Sequence, residues 1–129
     1  MIVLDASALV DLLAVPTRTN QVAAAITNEE LLAPELLDTE VVSALWRMVR
    51  GGQAAPRVAR RGVEELAEMP IERVTHVLLD RLVWELRERV AIADAFYVAC
   101  AQLYGATLVT TDARLARAPL PGVSILLVR

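Results

Sequence analysis

Short apolar runs alternate along the chain with longer stretches in which apolar residues recur every three or four positions. The first kind of segment fits a buried strand and the second an amphipathic helix. Residues 2–5 open the chain as a strand. Ser7 to Ala14 follow as a helix that Val15-Pro16 ends. Thr19 or Asn20 caps a second helix running to about Asn28. Leu31-Leu32-Ala33 reads as a second strand before Pro34. A long helix is predicted over 35–50, with Leu36, Leu37, Val41, Leu45, Trp46 and Val49 at helical spacing, and Gly51-Gly52 stops it. Pro56 starts the next helix, to Met69, and Pro70 closes it.

Ile71 to Val74 reads as a third strand. Thr75 to Arg89 is predicted helical on Val77, Leu78, Leu82 and Leu86. A helix over 92–104 follows, closed by Gly105. Thr107 to Thr111 forms a β-branched strand, residues 112–118 a short helix, and Val123 to Val128 a closing strand. Strands alternating with helices predict an α/β fold, a three-layer α/β/α sandwich with a central, mainly parallel sheet. At 129 residues, without repeats or linkers, the chain is expected to form one domain over 1–129.

Composition changes this picture in two ways. The chain is 56% hydrophobic with a mean hydropathy of +0.46, yet no apolar stretch approaches the roughly 20 residues that span a bilayer. A basic leader is also missing, so a soluble, cytoplasmic protein with no membrane association is expected. The surplus of apolar residues then points to self-association or a partner interface. The single cysteine, Cys100, rules out an intrachain disulfide and reads as a small core hydrophobe.

The net charge of −3 argues against nucleic-acid binding by bulk charge. All 13 basic residues are arginine. Arg47, Arg50, Arg57, Arg60 and Arg61 form an acid-free stretch suited to a phosphate backbone or an acidic partner. The absence of lysine excludes Walker-A nucleotide binding and Schiff-base catalysis. A Ser-His-Asp device is poorly supported because His76 is the only histidine and reads as a surface residue.

Four acids stand out. Asp5 and Asp112 end β-like runs, whereas Glu40 and Asp94 lie on apolar helical faces. Parallel strands and their helices deliver side chains to one edge of a sheet, so the four can converge. Four bare carboxylates repel unless protons or cations intervene, and a hard divalent metal is the simplest such cation. Capping is the competing role for Asp5 and Asp112. Asp38 and Asp11 read as lying outside the group.

These segments resemble the PIN-domain family, and within it the VapC-type toxin ribonucleases of toxin–antitoxin pairs. The matching pieces are Ile2 to Ala8, Asp38-Thr39-Glu40-Val41, Ala93 to Ala99, and Leu108 to Leu115, and no acid of the family's set is missing. The resemblance implies Mg²⁺ or Mn²⁺ held by Asp5, Glu40, Asp94 and Asp112 as the catalytic group, with Ser7 and Thr110 as supporting polar residues. It implies endonucleolytic cleavage of RNA by metal-activated water, a homodimer, and neutralisation by a cognate antitoxin protein.

Other readings compete. A non-catalytic partner-binding module would use the acids as a pocket for a basic partner. Receiver domains and haloacid-dehalogenase-type phosphatases also place an acid after a first strand, but normally need a lysine. A DNA-directed nuclease shares the chemistry and lacks room here for substrate-clamping insertions.

Overall fold

The computed structural model describes all 129 residues. Five strands, β1 (Ile2–Leu4), β2 (Leu31–Pro34), β3 (Ile71–Val74), β4 (Thr107–Thr110) and β5 (Ile125–Leu127), form one sheet in the order β3-β2-β1-β4-β5. Every pairing is parallel. Parallel strands need crossovers, which here are α1 (Ala6–Ala14), α2 (Thr19–Ile26), α3 (Leu36–Arg50), α4 (Pro56–Glu68), α5 (Asp80–Leu86) and α6 (Ile92–Tyr104), with a short α7 (Ala113–Ala116) before β5.

Every residue of β1 and β2 is buried, as both faces of a covered parallel sheet require. Helix α1 packs on α2, α3 and α4, while α6 packs on α5 and lies against β1, β2 and β4. The two groups are the outer layers of the α/β sandwich. Their apolar faces meet the sheet in one cluster of 34 buried residues, in which Leu4, Leu9, Leu37, Leu45 and Leu108 are sealed from solvent.

Two glycines explain local geometry. Gly62 on α4 faces Leu45 and Leu13 so closely that a Cβ there would sit 3.3 Å from Leu45 Cδ1, which lets α4 lie tightly on α3 and α1. Gly105 takes φ +62° and ends α6 in the left-handed conformation that L side chains avoid. Arg73 at β3 ties three elements together. Its Nε and Nη2 donate to Asp38 on α3 at 3.0 and 2.8 Å, and it also donates to the carbonyls of Leu66 and Ile71.

The chain departs from the expected pattern between 75 and 89. A single helix was expected on Val77, Leu78, Leu82 and Leu86. A 3₁₀ turn, His76–Leu78, is instead followed by the separate helix α5. Leu79, Val83 and Leu86 turn inward, and Val77 and Leu78 stand exposed. His76 pins the break and is not a surface residue. Half-buried, it accepts a hydrogen bond from the Leu36 backbone N–H at 3.0 Å and stacks on Phe96 at 4.1 Å. Helix α7 is shorter than expected and β4 stops at Thr110. Cys100 is a core residue as expected, and burial pushes its thiol up to about 12. No helix is long and apolar enough to cross a membrane.

Candidate active site at the carboxyl ends of β1 and β4

The strand order reverses direction at β1. From there the chain winds outward to β2 and β3, then returns to the other side of β1 with β4 and β5. A crevice opens at such a switch point, outside the carboxyl ends of the strands, and ligands bind there in open α/β sheets. Asp5 directly follows β1, and Asp112 follows β4 by two residues. Both lie in the wall of one cavity of about 510 Å³, which Glu40 from α3 and Asp94 from α6 also line. The four acids selected from the sequence therefore share one cavity.

Asp5 is held rather than merely placed. It is 6% exposed, and its Oδ2 accepts from Thr110 Oγ1 at 2.6 Å and from Ser7 Oγ at 2.7 Å. With both hydroxyl protons directed at Asp5, the 3.2 Å contact between the two hydroxyls only records their common target. Each hydroxyl also accepts from the backbone that leads to the last acid. The Asp112 N–H donates to Thr110 at 3.0 Å, and the Thr111 N–H donates to Ser7 at 3.3 Å. Ser7 and Thr110 thus join the two acids across the switch point. Asp5 stands at the N-cap position of α1 but makes no side-chain capping bond there. Asp112 does cap α7, through Oδ1 and the Arg114 N–H at 2.9 Å. Its Oδ2 has Arg114 Nη2 at 3.6 Å.

Glu40 accepts from the Tyr97 hydroxyl at 2.6 Å. Tyr97 is fully buried, and desolvation followed by the Glu40 contact pushes its phenol far above the usual range, so it acts as a donor. Asp94 has no such partner. Burial, and then the negative charges of Asp5, Asp112 and Glu40, raise its carboxyl above the ordinary value. Burial also raises the Asp5 carboxyl, against the opposing hydrogen bonds from Thr110 and Ser7.

The cavity gathers further residues. Asp11 lies in its wall, with its carboxylate 3.7 Å from Arg18, although the sequence pattern placed it outside the group. Its signal was its position one turn after Ser7 on the same helical face. Tyr97, three residues after Asp94, was also missed, as was Arg114, two after Asp112. Of the arginine stretch, Arg47 alone lines the acid cavity. Arg50 lies over the Trp46 ring at 5.7 Å, and Arg60 lines a separate apolar groove of about 370 Å³ between α3 and α4. Arg57 and Arg61 are exposed on α4.

No group of three or more His, Cys, Asp or Glu side chains closes into a ready ligand cluster. The donor set nonetheless fits an open site for a hard cation. Its donors are oxygens, and Asp5, Asp11, Glu40, Asp94 and Asp112 share the cavity wall with only Arg47 and Arg114 as cations. Mg²⁺ keeps several waters and needs only one or two direct carboxylates, so a closed cage is not required.

Residues 2–120 match the PIN domain family. Ribonuclease VapC3 of Mycobacterium tuberculosis is 42% identical over 120 residues, covering 91% of this chain and 86% of that protein. Ribonuclease VapC1 of the same species is 38% identical over 129 residues, covering 98% and 97%. Among solved structures, PAE2754 from Pyrobaculum aerophilum superposes with a TM-score of 0.69 at 25% identity, covering 96% of this chain and 82% of that one. VapBC2 from Rickettsia felis, bound to a DNA fragment from their promoter, superposes with a TM-score of 0.67 at 14% identity over the whole of both chains. The chain belongs to the PIN-domain family, and its relatives within that family are the VapC-type ribonucleases.

Proposed function

We propose that the protein is a metal-dependent endoribonuclease, the toxin of a toxin–antitoxin pair. The convergence of Asp5, Glu40, Asp94 and Asp112 on one cavity at the switch point carries this reading, and the names of its relatives support it. These four carboxylates would hold Mg²⁺ or Mn²⁺. Such an ion lowers the pKa of a bound water and screens a phosphodiester's charge. Ser7 and Thr110 keep the Asp5 carboxylate in one rotamer by donating to a single oxygen. Tyr97 does the same for Glu40. Asp112 uses Oδ1 to start α7, which fixes the direction of its second oxygen. Asp94, with no hydrogen-bond partner of its own, feels the combined field of the other acids most directly.

The assay is cleavage of single-stranded RNA with Mg²⁺ or Mn²⁺ and with chelator. Asp5→Asn and Asp94→Asn should each leave a folded protein and reduce cleavage by about 10²-fold or more. Full activity in either variant rejects that residue's role.

The antitoxin partner follows from the same family reading. We place it at the α3–α4 groove, where Val42, Trp46 and Val63 are exposed and Arg60 shares the lining. An amphipathic acidic segment would match both its apolar floor and its basic rim. We place the homodimer contact at Val77, Leu78 and Trp84, the largest apolar side chains exposed around the 75–89 break.

A further inference from the structure

We propose that single-stranded RNA crosses the acid cavity between Arg47 on one side and a phosphate-binding subsite formed by Arg89 and Arg114 on the other. This rests on the ribonuclease reading above. A cavity walled by Asp5, Asp11, Glu40, Asp94 and Asp112 repels a phosphate chain, so the strand needs cationic contacts on either flank. One flank is Arg47. The other is a second cavity of about 240 Å³ that shares Asp94, Asp112 and Arg114 with the first. Arg89 lies in its wall, and Val90, Ala91, Leu115 and Ala118 line it with apolar surface.

The two arginines are suited to a phosphate in different ways. Arg89 is exposed, but its Nη1 donates to the Pro119 carbonyl at 3.0 Å. That bond orients the guanidinium and leaves its other donors free. The Arg114 side chain is 86% exposed, and its nearest carboxylate, Asp112, lies at 3.6 Å, beyond a good hydrogen bond. It can therefore turn to a phosphate. No aromatic ring lines this cavity, so bases are not stacked there and the subsite reads backbone, not sequence. Arg57 and Arg60 lie on α4 and line neither of these two cavities.

The probe is a labelled, non-cleavable 2′-O-methyl RNA of mixed sequence, followed by fluorescence anisotropy across a salt series. Arg89→Ala and Arg114→Ala should each weaken binding about tenfold at low salt and reduce the slope of log K against log salt by about 0.7. Arg89→Lys and Arg114→Lys should retain the slope, because lysine keeps the charge. Arg57→Ala and Arg60→Ala should change neither quantity. An unchanged slope in both Arg89→Ala and Arg114→Ala overturns the subsite, as does an equal loss in the Arg57 and Arg60 variants. If the wild-type protein cleaves RNA and an overturning result is obtained, only the subsite fails. If it neither binds nor cleaves RNA, the ribonuclease reading falls with it.

Discussion

The Tyr97 hydroxyl donates to Glu40 Oε1 at 2.6 Å and joins α6 to α3 beside the acid cavity. The ring is fully buried, so Phe can fill the same space while losing only the hydroxyl. Glu40 stays partly open to water. Tyr97→Phe should cost about 1–2 kcal/mol, the value of a hydrogen bond to a charged acceptor, read from urea unfolding at neutral pH. RNA cleavage should drop about tenfold through kcat, as Glu40 samples other rotamers. An unchanged kcat would show that Tyr97 supports the core alone.

The raised carboxyls of Asp94 and Asp5 set a pH dependence with a definite sign. Each acid binds its proton more tightly in the folded than in the unfolded chain. Their contribution to stability is fully present below the ordinary Asp value of 3.8 and is lost as pH rises through the folded values. Asn at position 94 mimics the protonated acid. Without metal, Asp94→Asn and wild type should melt together in acid and diverge toward neutral pH, with the variant higher by a few degrees, roughly. Adding Mn²⁺ at neutral pH should raise the wild-type melting temperature and close the gap. A variant less stable at neutral pH would contradict the repulsion.

Arg73 offers a structural test. Its fork holds Asp38 on α3 and the carbonyl of Leu66 on α4 from the edge strand β3. Arg73→Ala should destabilise by about 2 kcal/mol in chemical denaturation, because several charged hydrogen bonds vanish together. Arg73→Lys should recover only part, since a point charge cannot reproduce the paired geometry with Asp38.

The partner surface should separate from catalysis. Trp46 is 59% exposed on α3 and lies in the apolar groove, not in the acid cavity. Trp46→Glu should abolish co-purification with a co-expressed antitoxin and leave RNA cleavage within about twofold of wild type. Loss of cleavage in the variant would place the groove within the catalytic machinery.

The fold was legible in sequence where one apolar pattern had no rival. The β1 and β4 runs are too short for helices, and the acids that end them reach the switch point because a parallel sheet sends all its carboxyl ends to one side. The 75–89 segment offered two overlapping patterns. Choosing Leu79, Val83 and Leu86 over Val77 and Leu78 depends on packing against α6 and on the His76 contact with Leu36, forty residues away. The acids of the site were visible because they fall at the ends of apolar runs or on apolar helical faces. Asp11 was hidden because its local partner Arg18 makes it resemble an ordinary surface pair. Tyr97 was hidden because its acceptor lies 57 positions earlier, on another helix.

The Thr110–Asp5 bond spans 105 positions of the chain, and the Ser7–Thr111 link spans 104. Neither can exist until β4 has been made and has docked beside β1. A growing polypeptide on the ribosome therefore carries Asp5, and later Glu40 and Asp94, before the Thr110 bond that holds Asp5 can form. The Asp5 side chain gains its Thr110 partner, and Ser7 its Thr111 N–H, only when the last third of the chain has been translated.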